Sequence, residues 1–304
     1  MIREAITPKD KVHWKFLRSQ DITSTEVSAL FGLSPYCTNF ELWHRHHKGI
    51  IEDLESNDRM KWGSRLEATI AHGIGEDEGW DVRCMSEYIR IPDLKIGSSF
   101  DYAIGQDGIL EIKNVDSLVF KEGWIIDGNN VEAPPHIELQ VQHQLLVSGR
   151  KFAQIGAFVG GNRVVMIKRE PNEQVFSAIK NKAAAFWESI FANKEPNPDF
   201  TKDADFICRM YNFAEPGKVI NTEGNQDILR LATVYKEQSD LIKKAEQIKN
   251  AAKAQLLLSI GDAEKVIGDG FSISAGVVGP SRVEYDRSGY RNFRLNWKKE
   301  KANG

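Results

Sequence analysis

Apolar residues in this chain change period part-way along, and that change constrains the fold more than any other feature. Over residues 60–78, Trp62, Leu66, Ile70 and Ile74 recur at helical spacing. Residues 82–91 then alternate loosely between apolar and polar, with Met85 breaking the pattern. Residues 96–104 read as the next strand, and Gln106-Asp107-Gly108 is an Asp-Gly hairpin signal leading into a third strand over 109–115. Strands joined this closely must pair, and they need something apolar to lie on. Helical patterns supply it. Thr23 or Ser24 caps a short helix through Leu30 that Gly32 ends, Ser34-Pro35-Tyr36 is a turn, and Asn39–Lys48 is a second helix. Pro134-Pro135 opens a helix to about Ser148, since Pro is tolerated in a first turn. Phe152–Val159 and 164–168 form a hairpin around Gly160-Gly161-Asn162, and Val175, Ile179, Ala183, Phe186 and Ile190 mark another amphipathic helix. The order predicts an α/β (α+β) core with a central mixed sheet flanked by helices.

A length of 304 residues suits one large domain with an appendage. Residues 196–225 are rich in Pro, Asn, Asp and Gly and read as a connector, so the expected organisation is a core over 1–215 and a C-terminal extension over 216–304. The extension comprises a long helix over 229–258, a hairpin at Gly268-Asp269-Gly270, and a basic tail over 282–301 interleaved with Tyr285, Tyr290, Phe293 and Trp297. The helix is expected to pack on the core or on another subunit. Cys37, Cys84 and Cys208 are scattered and form no CxxC pair, which disfavours a disulfide framework and a thiolate metal site and fits a reducing cytoplasm. His44, His46 and His47 have no acid or Cys partner at zinc-ligand spacing. The first residues carry charges without an apolar core, and no apolar run of about 18 residues occurs, so a cytoplasmic chain with no membrane partner is expected.

The chemistry concentrates in Asp101 and, across the hairpin, Glu111-Ile112-Lys113. Residues two apart in a strand project from the same face, so Glu111 and Lys113 are neighbours, and Asp101 on the preceding strand reaches the same place. Two carboxylates converging there repel unless a hard cation sits between them. Mg²⁺ suits two carboxylates plus the Ile112 carbonyl, and Mn²⁺ takes the same oxygen ligands. The competing interpretation is an exposed ion pair on a surface hairpin. The apolar Leu110, Ile112 and Val115 argue instead for a strand with a buried face.

These residues resemble the PD-(D/E)xK nuclease signature, in its lambda-exonuclease branch of YqaJ-like viral recombinase exonucleases. Several segments agree in order over residues 12–168. Trp14-Lys15-Phe16-Leu17-Arg18 and Ile22-Thr23-Ser24-Thr25-Glu26-Val27 resemble the N-terminal motif. Gly32-Leu33-Ser34-Pro35-Tyr36 and Phe40-Glu41-Leu42-Trp43 continue it, and Trp62-Gly63-x-x-x-Glu67 resembles the acidic helix. Gln140-Val141-Gln142-His143-Gln144-Leu145 resembles the Gln-containing helix that follows the core motif. Phe100 stands where the family carries Pro, Thr25 replaces a Ser while keeping the hydroxyl, and Ile137 replaces a Tyr.

The resemblance implies a restriction-endonuclease-like core and assigns roles by position. Asp101, Glu111, the Ile112 carbonyl and, through water, Glu67 would hold the metal. Lys113 would be the catalytic lysine, and Gln140 would hold Lys113 or a metal-bound water in place. Arg18 and Thr25 would grip a 5′-phosphate, with Trp14 also contacting DNA. The implied activity is digestion of linear double-stranded DNA from a 5′ end, leaving 3′ single strands for a single-strand annealing partner. The implied source is a phage or prophage, and the implied assembly a homotrimer. The rival readings are an endonuclease or repair nuclease of the same fold without 5′ polarity, and a non-catalytic DNA-binding or assembly module, against which the complete set of acids argues. Forty Lys and Arg against 43 Asp and Glu leave a formal charge of −3, without the basic excess usual for nucleic-acid proteins. On this reading several acids serve cations, and the DNA-facing charge is local: Arg18, Lys113 and the tail.

Overall fold

The strand-rich stretch of the sequence is divided between two sheets. The computed structural model describes residues 1–49, 58–128, 130–284 and 289–297. The elements are, in order, β1 (Glu4–Ile6), α1 (Lys11–Ser19), β2 (Ile22–Thr23), a 3-10 turn (Val27–Phe31), α2 (Asn39–Lys48), α3 (Asp58–Glu78), β3 (Val82–Cys84), β4 (Tyr88–Ile91), β5 (Ile96–Ser98), β6 (Tyr102–Ile104), β7 (Gly108–Val115), α4 (Ser117–Gly123), β8 (Ile125–Asp127), β9 (Asn130–Glu132), α5 (Pro135–Ser148), β10 (Phe152–Val159), β11 (Arg163–Arg169), α6 (Glu173–Phe191), α7 (Ala204–Met210), α8 (Gln226–Ile260), β12 (Lys265–Gly268) and β13 (Phe271–Ser274).

The larger sheet has the order β11-β10-β7-β6-β3, with β10 parallel to β7 and the other pairs antiparallel, so it is the mixed sheet that the alternation predicts. A second sheet has the order β1-β4-β5-β2. Two expectations need correction here. The segment 82–91 is two strands, β3 and β4, one in each sheet, and the chain crosses between them at the Met85 interruption. Likewise 96–104 is split into β5 and β6, so Asp101 lies in the crossing between sheets rather than within a strand. The short helix before Gly32 is a 3-10 turn whose N-cap is Glu26, without a side-chain cap bond; Thr23 belongs to β2 instead. Gly32 does end that turn, in the left-handed conformation that glycine adopts without strain.

Alternation along β7 sorts its residues between two helices. Leu110 and Ile112 join Ile70, Ala71 and Ile74 of α3 in one apolar cluster. Ile109 and Val115 join Val141 and Leu145 of α5 in the main core. Glu111 and Lys113 share the α5 side with them. Helix α5 is buried from Gln140 through Val147, polar and apolar residues alike, as expected of a helix enclosed by other elements. It packs on β4, β5, β10, α6 and the 3-10 turn.

The chain divides into two compact units, Met1–Ile207 and Cys208–Gly304. In the second unit α8 carries no buried residue, and β12 and β13 form the hairpin read from Gly268-Asp269-Gly270. Tyr235 of α8 meets Phe293 edge-on. Tyr285 and the last residues of the expected basic tail lie outside the described residues. Among the described residues no helix is long and apolar enough to cross a membrane.

The second sheet is tied to α1 by Asp21, a buried carboxylate that accepts from Arg90 Nη2 (2.7 Å) and Tyr88 Oη (3.2 Å). Gly97 of β5 allows that contact: a Cβ there would collide with Tyr88 Oη and lie 2.8 Å from Asp21 Oδ2. Gly97→Ala is therefore expected to lower stability by ~1–3 kcal/mol through overpacking. Gly63→Ala in α3, where a Cβ meets nothing within 4 Å, is expected to raise stability by up to ~1 kcal/mol through helix propensity. Urea denaturation of both variants checks the opposite signs.

Candidate active site

Asp101 immediately precedes β6 but is held by β7. Its Oδ2 accepts from the Ile112 backbone N–H at 2.9 Å. Strand β6 pairs with β7 only from Tyr102–Leu110 to Ile104–Gly108, so Ile112 lies beyond the end of β6. In an antiparallel ladder the N–H and C=O of one residue leave on the same edge. The Ile112 carbonyl therefore leaves β7 on the edge where Asp101 sits.

Glu111 is buried, and its carboxylate meets donors from two elements. Lys113 Nζ reaches Oε1 at 2.6 Å, Gln140 Nε2 reaches the same oxygen at 2.6 Å, and Gln144 Nε2 reaches Oε2 at 2.7 Å. Lys113 also donates to Gln140 Oε1 at 3.1 Å. Gln140 and Gln144 are four apart on α5, one turn of helix, so both amides face β7. The third glutamine of the segment, Gln142, points elsewhere: it accepts from the Asn172 N–H and donates to the Glu170 carbonyl, fastening the entry to α6. His143 is fully buried, and burial pushes it down to about 4, so it packs as a neutral ring.

The charges are unevenly matched. Burial first, then the charges of Glu111 and Glu67, push the Asp101 carboxyl well above the ordinary Asp range, against the pull of Lys113 and the Ile112 N–H. Glu67, on α3, is raised by burial and by Glu111, with Lys113 opposing; it makes no hydrogen bond to the other site residues among those described. Burial pushes Lys113 down, but Glu111 and Asp101 more than offset it and hold the ammonium charged. Among the described residues no three His, Cys, Asp or Glu side chains converge closely enough to enclose a metal ion. Even so, the available donors (the carboxylates of Asp101, Glu111 and Glu67 and the Ile112 carbonyl) are all hard oxygens, and their mutual repulsion is what a divalent cation relieves. That donor set fits Mg²⁺ or Mn²⁺ and does not fit a thiolate-seeking metal.

The residues expected to grip phosphate also come together. Arg18 Nη2 donates to Thr25 Oγ1 at 3.1 Å and Thr23 Oγ1 at 3.4 Å, and its guanidinium lies 4.6 Å from the centre of the Trp14 ring. Thr23 Oγ1 donates in turn to Glu26 Oε2 at 2.7 Å. Burial raises the Glu26 carboxyl, but His46, Arg18 and Thr23 outweigh it and hold it at about 2. Trp14 Nε1 donates to Ser99 Oγ at 2.8 Å, which joins this cluster to the crossing that carries Asp101. The three substitutions relative to the family motif fit this arrangement. Phe100 and Ile137 are both buried in the main core, and Thr25 keeps its hydroxyl on Arg18. The histidines of α2 pack against aromatic rings: His44 on Phe40 and Trp43, His46 on Phe186 and Trp187, His47 on Trp43.

Reading the sequence alone misses Gln144, Ser99 and His136. For Gln144 the signal was present in its i,i+4 spacing from Gln140. Nothing local marks Ser99, whose contact comes from a helix 85 positions away in sequence. His136 lies one turn before Gln140 on α5; burial and the Lys113 charge lower its pKa.

Residues 13–151 match the family model of the YqaJ-like viral recombinase domain, a span that contains every residue of both clusters. A protein YqaJ of Bacillus subtilis (strain 168), described as uncharacterized, is 27% identical over 251 residues, covering 80% of this chain and 77% of that protein. The structure of LHK-Exo in complex with dAMP has a TM-score of 0.50 and 19% identity, covering 65% of this chain and 100% of the other. A further structure of the same alkaline exonuclease, from Laribacter hongkongensis, has a TM-score of 0.49, 19% identity and the same coverage. The shared fold is the nuclease fold.

Gln144→Ala removes one of three donors from a buried carboxylate and is expected to lower nuclease activity about 10–100-fold, the usual cost of losing a partner that orients a ligating group. Single-turnover cleavage of a labelled duplex measures it. Gln142→Ala, which touches only the entry to α6, is expected to cut at the wild-type rate.

Proposed function

We propose, from the match of residues 13–151 to the YqaJ-like viral recombinase domain, that the chain is a metal-dependent deoxyribonuclease digesting linear double-stranded DNA from 5′-phosphorylated ends. The observation that carries this is the convergence of Glu111, Lys113 and Gln140 beside Asp101, within one fold with the Arg18–Thr25–Trp14 cluster. Asp101, Glu111, the Ile112 carbonyl and Glu67 would hold Mg²⁺ or Mn²⁺, which when bound activates water and polarises the phosphate.

The chain's own groups account for the rest. With its ammonium held charged, Lys113 is a donor: it orients the attacking water and offsets charge gathering on the phosphorane, with Gln140 fixing its direction. Gln140 and Gln144 together hold the Glu111 carboxylate in place. The fork of Arg18 donors suits a terminal phosphate, and the Thr25 hydroxyl adds a hydrogen bond. Trp14 sets its ring beside the Arg18 guanidinium and is itself bonded to Ser99. A phosphate held there and a scissile bond beside Asp101 would be set at a fixed offset along one strand, which favours an exonuclease over an endonuclease. The 3′ single strand left behind suits a single-strand annealing partner in recombination, and assembly as a homotrimer around DNA follows the family. We assign the nuclease to residues 1–215 and treat 216–304 as a C-terminal extension.

The first test is digestion of a linear 5′-phosphorylated duplex with and without Mg²⁺. Wild type is expected to degrade it only with metal, and Asp101→Ala to lose on the order of 10²-fold or more in rate. Equal rates for the two proteins, or no digestion at any Mg²⁺ or Mn²⁺ concentration, would overturn the assignment. The second test is end preference. Arg18→Ala should digest phosphorylated and dephosphorylated ends at one rate while still requiring metal. If the preference survives, or if wild type cuts closed circles, the reading becomes an endonuclease or repair nuclease on the same site.

A further inference from the structure

Tyr36 is a large aromatic side chain left 77% exposed, yet both its backbone and its ring have partners. It sits in the turn between the 3-10 segment and α2, where the Ser34 hydroxyl accepts from the backbone N–H of Tyr36 (3.1 Å) and of Cys37 (3.3 Å). Cys37 is packed against the main core, so the turn is anchored on its far side. The Tyr36 ring stands edge-on to His136, with centroids 5.8 Å apart and planes at 87°. His136 and Gln140 are four apart on α5 and share a face, and Gln140 accepts from Lys113. The exposed ring is thus braced one helical turn along α5 from Gln140, the acceptor of the proposed catalytic lysine. An edge-on neighbour supports a ring while leaving its face open to a second partner. Nothing in the folding of the core requires this ring, since so little of it is buried.

We propose that Tyr36, braced by His136, is a stacking surface for an unpaired nucleobase of the DNA strand being processed. This rests on the reading of the Lys113 site as a nuclease. The ligand class follows from the chemistry: an open aromatic face beside a phosphate-directed site meets the flat rings of a nucleotide chain, and stacking of this kind tolerates any base. Hydrolysis one nucleotide at a time requires the terminal base to leave its partner, and an aromatic face beside the site stabilises the separated base.

The experiment measures equilibrium binding of the full-length protein, in EDTA so that nothing is cut, to a 5′-phosphorylated duplex with a short frayed end. A fluorescent label on the distal end reports anisotropy. Four proteins are compared: wild type, Tyr36→Ala, Tyr36→Leu and Tyr36→Trp. Each is tested on intact DNA and on DNA carrying an abasic analogue at each of the terminal positions in turn. Tyr36→Ala and Tyr36→Leu are expected to weaken binding about 5- to 150-fold, the equivalent of roughly 1–3 kcal/mol for one base–aromatic stack, while Tyr36→Trp retains it. At one position the abasic analogue should weaken wild type by a similar factor and Tyr36→Ala hardly at all, because ring and base act on each other. Thermal unfolding midpoints should be alike for all four. Binding of Tyr36→Leu at wild-type strength, or abasic losses equal in wild type and Tyr36→Ala at every position, overturns the proposal. A wild type that binds no DNA at all overturns the nuclease reading first, and that result does not depend on Tyr36.

Discussion

Glu111 is a carboxylate in the middle of a sheet, nearly inaccessible to water. An isolated buried charge costs several kcal/mol or neutralises itself by taking up a proton. Here three donors from two elements meet it. That requirement reaches far into the structure. It sets which face of β7 looks at α5. It sets the rotation of α5 about its axis, because both amides must point the same way. It also explains why the buried stretch of α5 carries amides at positions 140 and 144.

The arrangement is satisfied yet not neutral. Lys113 contributes one positive charge, while Glu111, Asp101 and Glu67 act on one another through their charges. The raised Asp101 and Glu67 carboxyls record the mismatch. A site built for packing alone has little reason to hold acids in excess. A site built to accept a divalent cation has one, and the oxygen-only donor set agrees with it. The overall charge of −3 therefore says little about whether DNA is a partner, since affinity for phosphate depends on where the basic groups lie. Arg18, Lys113 and their neighbours are held on one unit by named contacts.

Much of this was legible in the sequence. Asn39–Lys48, Pro135–Ser148 and Phe152–Val159 have the boundaries that capping and turn residues predict. The Glu111-x-Lys113 pair follows from strand alternation alone, and Gln140 and Arg18 were nameable from the motif. Two continuous-looking strands, however, proved to be four short ones shared between sheets. Met85 and the residues before Asp101 mark the crossings, and a crossing has no local pattern of its own because the alternation resumes beyond it. Strand β1 and helix α1 were not read, since their partners lie far along the chain, with Glu4 paired to Arg90 and Trp14 bonded to Ser99.

The sequence by itself determined the types of element, the chemistry of the acidic strand and the family motif, because each depends on residues within a turn or a strand of one another. Tertiary structure alone decided that Gln144 holds Glu111 while Gln142 does not, that Ser99 links Trp14 to the Asp101 crossing, and that Tyr36 stands open against His136. The physical reason is the same in each case. A hydrogen bond or ring contact depends on where two elements come to rest against each other, and that position is set by the packing of the whole core.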